Sequence, residues 1–119
     1  MHILWVENNP RFIAAVRSFL HPHDLVVVPS LRQARECLAH QTFDALLLDY
    51  DLDDGKGAEL LSILSGSASR PLVIATSSHA VGNNKLLAEG ADLVCSKRDF
   101  GQIEQMLKRV DRQRPGNMD

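Results

Sequence analysis

Five short, largely apolar runs constrain the fold of this chain more than any other feature: "HILWV" (2–6), "LVVV" (25–28), "ALLL" (45–48), "LVIA" (72–75) and "LVCS" (93–96). Their starts recur every 20–27 residues. Each has the length of a strand buried on both faces, far below the ~20 apolar residues needed to span a bilayer. Between them apolar residues fall at helical spacing: Phe12, Ile13, Val16, Phe19 and Leu20, then Leu31, Ala34 and Leu38, then Leu60, Leu61 and Leu64. After the fifth run, Phe100, Ile103, Leu107 and Val110 form one stripe, whereas "NNKLLAEGA" is weakly patterned.

Local punctuation supports the alternation. Pro10 sits just inside the first helix, where its missing N–H costs nothing. Ser30 with Gln33 forms a capping box that starts the second helix. Gly66, "SGSAS" and Pro71 make a loop before the fourth strand, and Gly90 closes the fourth helix. Five strands alternating with five helices predict an α/β fold with a parallel sheet covered on both faces, because parallel neighbours need long crossovers. Right-handed crossovers make it doubly wound. The expected unit is one domain over residues 1–112, followed by an aperiodic tail or linker start at 113–119.

Composition excludes several classes. Thirteen basic and fifteen acidic residues, without a long block of one sign, point to neither nucleic acid nor a membrane surface. "MHILWVENNP" lacks the basic start of a signal peptide, so a cytoplasmic location is expected. Cys37 and Cys95 read as buried free thiols of a reducing compartment. "HPH" (21–23) reads as solvated histidines, and Trp5 as core packing.

In a doubly wound sheet, ligands bind at the carboxyl ends of the strands, beside the point where strand order reverses. At those ends stand Glu7 and Asn8, Asp49, Thr76 and Ser77, and Lys97. Such a rim suits a divalent cation together with a phosphoryl group: Mg2+ takes a few oxygen ligands and keeps several waters. In that chemistry Asp49 is a nucleophile that forms an acyl phosphate, Lys97 pairs with phosphoryl oxygens and the Thr76 hydroxyl hydrogen-bonds another. The aspartates of "LLLDYDLDDGKG" (46–57) superficially match a calcium loop, but Asp54 and Leu60 stand where an EF-hand needs Gly and Glu.

The strings "ILWVENNP", "LLLDYDLDDGKGAELL", "VIATSS" and "GADLVCSK" resemble the receiver domain of two-component response regulators over residues 1–112. The resemblance implies a flavodoxin-like fold with strand order 2-1-3-4-5 and no enzyme activity beyond self-catalysed phosphotransfer and slow dephosphorylation. A histidine kinase or phosphotransfer protein would donate the phosphoryl group. Carried over by position, Asp49 is the phosphoacceptor, Thr76 the switch hydroxyl and Lys97 the phosphate-pairing lysine. Glu7, Asn8, Asp49 and the main-chain carbonyl of Asp51 are the Mg2+ ligands. Gly57 ends the loop before the third helix, and the Asp51 side chain lies where the family tunes dephosphorylation. Apart from the resemblance, His79, just beyond Thr76, is a candidate at the crevice mouth for tuning phosphate lifetime.

The chain also departs from that pattern. Glu7-Asn8 replaces two acidic residues, which weakens or reshapes the Mg2+ site. Asp53 stands where Pro is common, Lys56 where Asp is common and Arg98 where Pro is common. Val94 occupies the place of a switching aromatic ring. Two other readings therefore compete: a degenerate receiver that serves as a phosphorylation-independent interaction module, and a haloacid-dehalogenase-like phosphatase using Asp49 and Asp51. A homodimer through the fourth and fifth helices would have to accommodate scattered charges such as Lys85, Glu89, Lys108 and Arg109.

Overall fold

A computed structural model describes residues 1–113, with side chains as far as Arg109. The expected tail therefore lies outside the described residues from 114 onward, and Val110 outside the described side chains. The chain runs β1 (His2–Val6), α1 (Pro10–Val16), a 3₁₀ turn (Arg17–Leu20), β2 (Asp24–Val28), α2 (Leu31–His40) and β3 (Ala45–Leu48). A two-stranded hairpin follows, β4 (Asp51–Leu52) with β5 (Gly55–Lys56), then α3 (Ala58–Leu64) and β6 (Leu72–Ala75). The chain continues with α4 (Ala80–Ala88), β7 (Leu93–Val94), a second 3₁₀ turn (Lys97–Gln102) and α5 (Ile103–Gln113).

The main sheet has the order β2-β1-β3-β6-β7, and every neighbouring pair is parallel. Counting only these five strands, this is the expected 2-1-3-4-5. Side chains alternate across the sheet and so divide into two cores. Leu4, Val6, Leu46, Leu48, Val73 and Ala75 pack with Leu31, Ala34, Leu60, Leu64 and Leu86 from α2, α3 and α4. Ile3, Trp5, Ala45, Leu47 and Ile74 pack with Phe100, Ile103 and Leu107 beneath α1 and α5. Trp5 is fully buried as expected, stacked on Phe100 with ring centroids 5.4 Å apart.

Several local expectations change. The first helical segment breaks into α1 and a 3₁₀ turn, and the fifth strand stops at Val94, so Lys97 opens a turn instead of ending a strand. The loop after Asp49 contains the β4–β5 hairpin. His23 is not solvated: its Nε2 lies 2.8 Å from Glu104 Oε2 and its Nδ1 3.2 Å from the Met1 amine. Cys95 is buried, but Cys37 is only partly so.

Register brings the site together. Val6 pairs with Leu48, and Leu48 with Ala75, so the next residues, Glu7, Asp49 and Thr76, form one row at the carboxyl edge. Each is pinned to the adjoining strand by its own amide: Glu7 to Val28 O (3.0 Å), Asp49 to Val6 O (3.2 Å) and Thr76 to Leu48 O (3.0 Å). Strand order reverses at β1 and β3, beneath Glu7 and Asp49.

Candidate functional site

Glu7, Asp49 and Thr76 are 0%, 5% and 0% exposed, so three polar side chains sit at a dry edge of the sheet. Lys97 reaches over from the second 3₁₀ turn and donates to both carboxylates, 2.9 Å to Glu7 Oε2 and 3.1 Å to Asp49 Oδ2. Its ammonium also lies 5.0 Å from the centre of the Phe12 ring, which gives the cation a second favourable face. Asp49 Oδ1 accepts the Tyr50 amide at 2.8 Å, and Glu7 Oε2 also accepts the Asn9 amide at 3.1 Å.

Two buried oxygens in this arrangement have no protein partner: Glu7 Oε1 and Thr76 Oγ1. Buried polar groups are nearly always satisfied, so two orphans beside one buried carboxylate pair mark a ligand-facing edge. Burial raises the Glu7 carboxyl above its usual range and the field of Asp49 adds to this, while the hydrogen bond from Lys97 offsets it only in part. Burial alone would lower the Lys97 ammonium. The hydrogen bond to Glu7 and the fields of Asp49 and Glu7 outweigh it and hold Lys97 charged, above its usual range. The lysine is thus well paired, whereas the desolvation of Glu7 is not fully offset.

A hard divalent cation fits this donor set. Among the described residues there is no cluster of three or more His, Cys, Asp or Glu side chains able to cage a metal. Mg2+ needs no such cage, since one or two carboxylates with carbonyls and waters suffice. Glu7 with its free Oε1, Asp49, the Asn8 side chain and the Asp51 main chain are of that kind.

The loop from Asp49 to Gly57 is built around close backbone contact. A Cβ on Gly57 would overlap the Asp49 carbonyl oxygen, so the helical backbone there requires glycine for space and not for handedness. The four aspartates of this loop have different surroundings. The Asp51 side chain pairs with Lys56, the principal cause of its lowered pKa. Asp53 Oδ1 accepts Asn8 Nδ2 at 3.0 Å. Asp54 caps α2 by accepting the Leu31 and Arg32 amides at 2.9 and 3.0 Å, a role with no local signal because the helix starts 23 residues upstream.

Asn83 is another residue without a sequence signal. Its buried amide accepts from the Ser77 N–H at 2.9 Å and donates to the Ser77 carbonyl at 3.0 Å, tying α4 to the segment that carries Thr76. Gly82 permits this contact, since a Cβ there would lie 2.8 Å from Ser77 Oγ and 2.9 Å from Tyr50 Cβ. His79 occupies the N-cap position of α4 but makes no side-chain capping bond. Val94 lies half-buried in a groove of about 490 Å3 with Ala80, Leu87 and Arg98. Among the described residues no helix is long and apolar enough to cross a membrane.

Solved structures share the whole architecture. The receiver domain of a sensor histidine kinase from Pseudomonas aeruginosa, whose structure holds a magnesium ion in its active-site cleft, is 23% identical with a TM-score of 0.80, covering 91% of this chain and 94% of that one. A CheY-like response regulator receiver domain from Methylobacillus flagellatus is 21% identical with a TM-score of 0.80, covering 92% and 98%. The BeF3-activated N-terminal receiver domain of RstA from Klebsiella pneumoniae is 24% identical with a TM-score of 0.77, covering 92% and 97%. At these identities the likeness shows the fold. No curated protein sequence matches the chain significantly. The sequence model of the response regulator receiver domain matches residues 3–111, nearly the full length, and the chain belongs to that family.

Proposed function

We propose that this receiver domain accepts a phosphoryl group on Asp49 from a histidine kinase or phosphotransfer protein, in a Mg2+-dependent step, and then changes how it binds a partner. An Asp49 carboxylate oxygen attacks phosphorus in line as the bond from phosphorus to the donor's imidazole nitrogen breaks, leaving an acyl phosphate. Lys97 pairs with the phosphoryl oxygens as a point charge, and the Thr76 hydroxyl, a buried donor without a partner, hydrogen-bonds another. Mg2+, held by Glu7, Asn8, Asp49 and the Asp51 carbonyl, would neutralise negative charge on the phosphoryl group. A cytoplasmic location follows from those partners.

One observation carries the reading: Lys97 joins Glu7 and Asp49 in a buried pair while Glu7 Oε1 and Thr76 Oγ1 stay unsatisfied beside it. An interaction surface that never takes a ligand gains nothing from burying two orphan oxygens. The interaction-module reading draws on the neutral Asn8 and on Val94, which deprives the switch of an aromatic ring. The phosphatase reading fares worse, because a general acid needs a raised pKa and Lys56 holds Asp51 below its usual range. Beryllium fluoride with Mg2+ should change the Trp5 fluorescence of the wild type and leave Asp49→Asn unchanged. A wild type inert at saturating Mg2+ would favour the interaction module.

A further inference from the structure

Resting on the reading of this cleft as a Mg2+ site, we infer that Asp53 is a positioning residue for the metal, acting by fixing the side-chain amide of Asn8. Asp53 Oδ1 lies 3.0 Å from Asn8 Nδ2. A carboxylate only accepts hydrogen bonds, so the arm of Asn8 that faces it must be the NH2 and not the carbonyl. That settles the orientation of an otherwise ambiguous amide. The carbonyl oxygen, the only atom of this side chain able to bind a cation, is turned away from Asp53 and makes no other hydrogen bond to a described residue. The bond also polarises the amide and increases negative charge on that oxygen.

The independent sign of a cation at this edge is Glu7, fully buried with Oε1 unpartnered. Charge accounts for why the pair is useful. Within the row, Glu7 and Asp49 are already countered in part by Lys97. Asn8 brings no charge, and Asp53 restores one next to it without placing a third buried carboxylate in the dry row, since Asp53 itself is exposed. The pair thus divides between two residues what one acidic ligand would do alone: a neutral oxygen for the metal, and a carboxylate behind it.

Calorimetric titration of the full chain with MgCl2 alone tests this without relying on phosphorylation. Asp53→Ala should weaken Mg2+ binding about tenfold. Asp53→Asn, which keeps an acceptor for Asn8 but removes the charge, should lose less. Asp54→Ala removes the same charge one residue away, where no contact with Asn8 exists, and should change binding by less than about twofold. The decisive comparison is in the Asn8→Asp background. There Asp53→Ala should weaken binding clearly less than in the wild type, because an aspartate at position 8 has no N–H for Asp53 to orient and only the through-space effect of the charge is lost. Equal losses in Asp53→Ala and Asp54→Ala, or the same loss from Asp53→Ala in both backgrounds, would overturn the inference, as would a wild type that binds no Mg2+. Failure of Asp49 to accept phosphate, with the titrations behaving as described, would refute the proposed function and leave the Asp53 role standing.

Discussion

Replacing Thr76 by Val should make the unphosphorylated protein more stable and its activated state harder to reach. Thr76 is fully buried, and its Oγ1 has no hydrogen-bond partner. Leaving a buried hydroxyl unsatisfied costs about 1–3 kcal/mol, and a methyl group of similar volume removes that penalty. In a domain of this size each kcal/mol moves Tm by about 4 °C or more, so Thr76→Val should melt roughly 4–12 °C higher by circular dichroism in Mg2+-free buffer. The order should reverse with a phosphoryl mimic. A hydrogen bond to a charged group contributes about 1.5–3 kcal/mol, so beryllium fluoride should bind the variant roughly 10–100-fold more weakly and raise its Tm less. A Thr76→Val protein that melts lower than wild type without ligand, or responds equally to the mimic, would show that the Thr76 hydroxyl is not an unsatisfied donor waiting for the phosphoryl group.

Three further outcomes follow from the same geometry. Asp54 is held below the ordinary 3.8 by the Leu31 and Arg32 amides it accepts. A depressed folded-state pKa gives stability that is present above 3.8 and lost as pH falls through the folded value, so the advantage of wild type over Asp54→Asn in urea unfolding should shrink as pH drops below 3.8. A pH-independent gap would count against the cap. Burial, with Asp99 nearby, pushes the Cys95 thiol up to about 11, so iodoacetamide at neutral pH should label Cys37 well before Cys95, and equal labelling of the folded protein would contradict that. Asn83→Leu strands the Ser77 N–H, while the Ser77 carbonyl keeps the Lys97 amide at 3.4 Å, so it should cost about 1–3 kcal/mol and expose the Ser77 amide to hydrogen exchange, whereas unchanged protection would show that α4 is held another way.

The sheet was legible because its central strands are buried on both faces, which leaves "ALLL" and "LVIA" as unbroken apolar runs that only a doubly covered sheet accommodates. Strand ends then located Glu7, Asp49 and Thr76, because register in a parallel sheet aligns the residue after each run. The roles around them were not legible. Asp54 caps a helix far upstream, Asp53 meets Asn8 across 45 residues, and His23 finds Glu104 across 81. In each case the partner is chosen by tertiary approach, and composition gives only "acidic loop" or "polar loop". The β4–β5 hairpin leaves no sequence signal because its paired strands have two residues each, too short for alternation to appear. Asn83 looks like any polar residue of a weakly patterned helix until Ser77 is packed against it.

Asp49, with Lys97, Thr76 and a Mg2+ site beside it, is proposed to accept a phosphoryl group. Intact-protein mass spectrometry after incubation with acetyl phosphate and Mg2+ tests it most directly. The wild type should gain one phosphoryl mass, lost with chelator and absent from Asp49→Asn. No adduct on the wild type at saturating Mg2+, or an adduct that persists in Asp49→Asn, would contradict it.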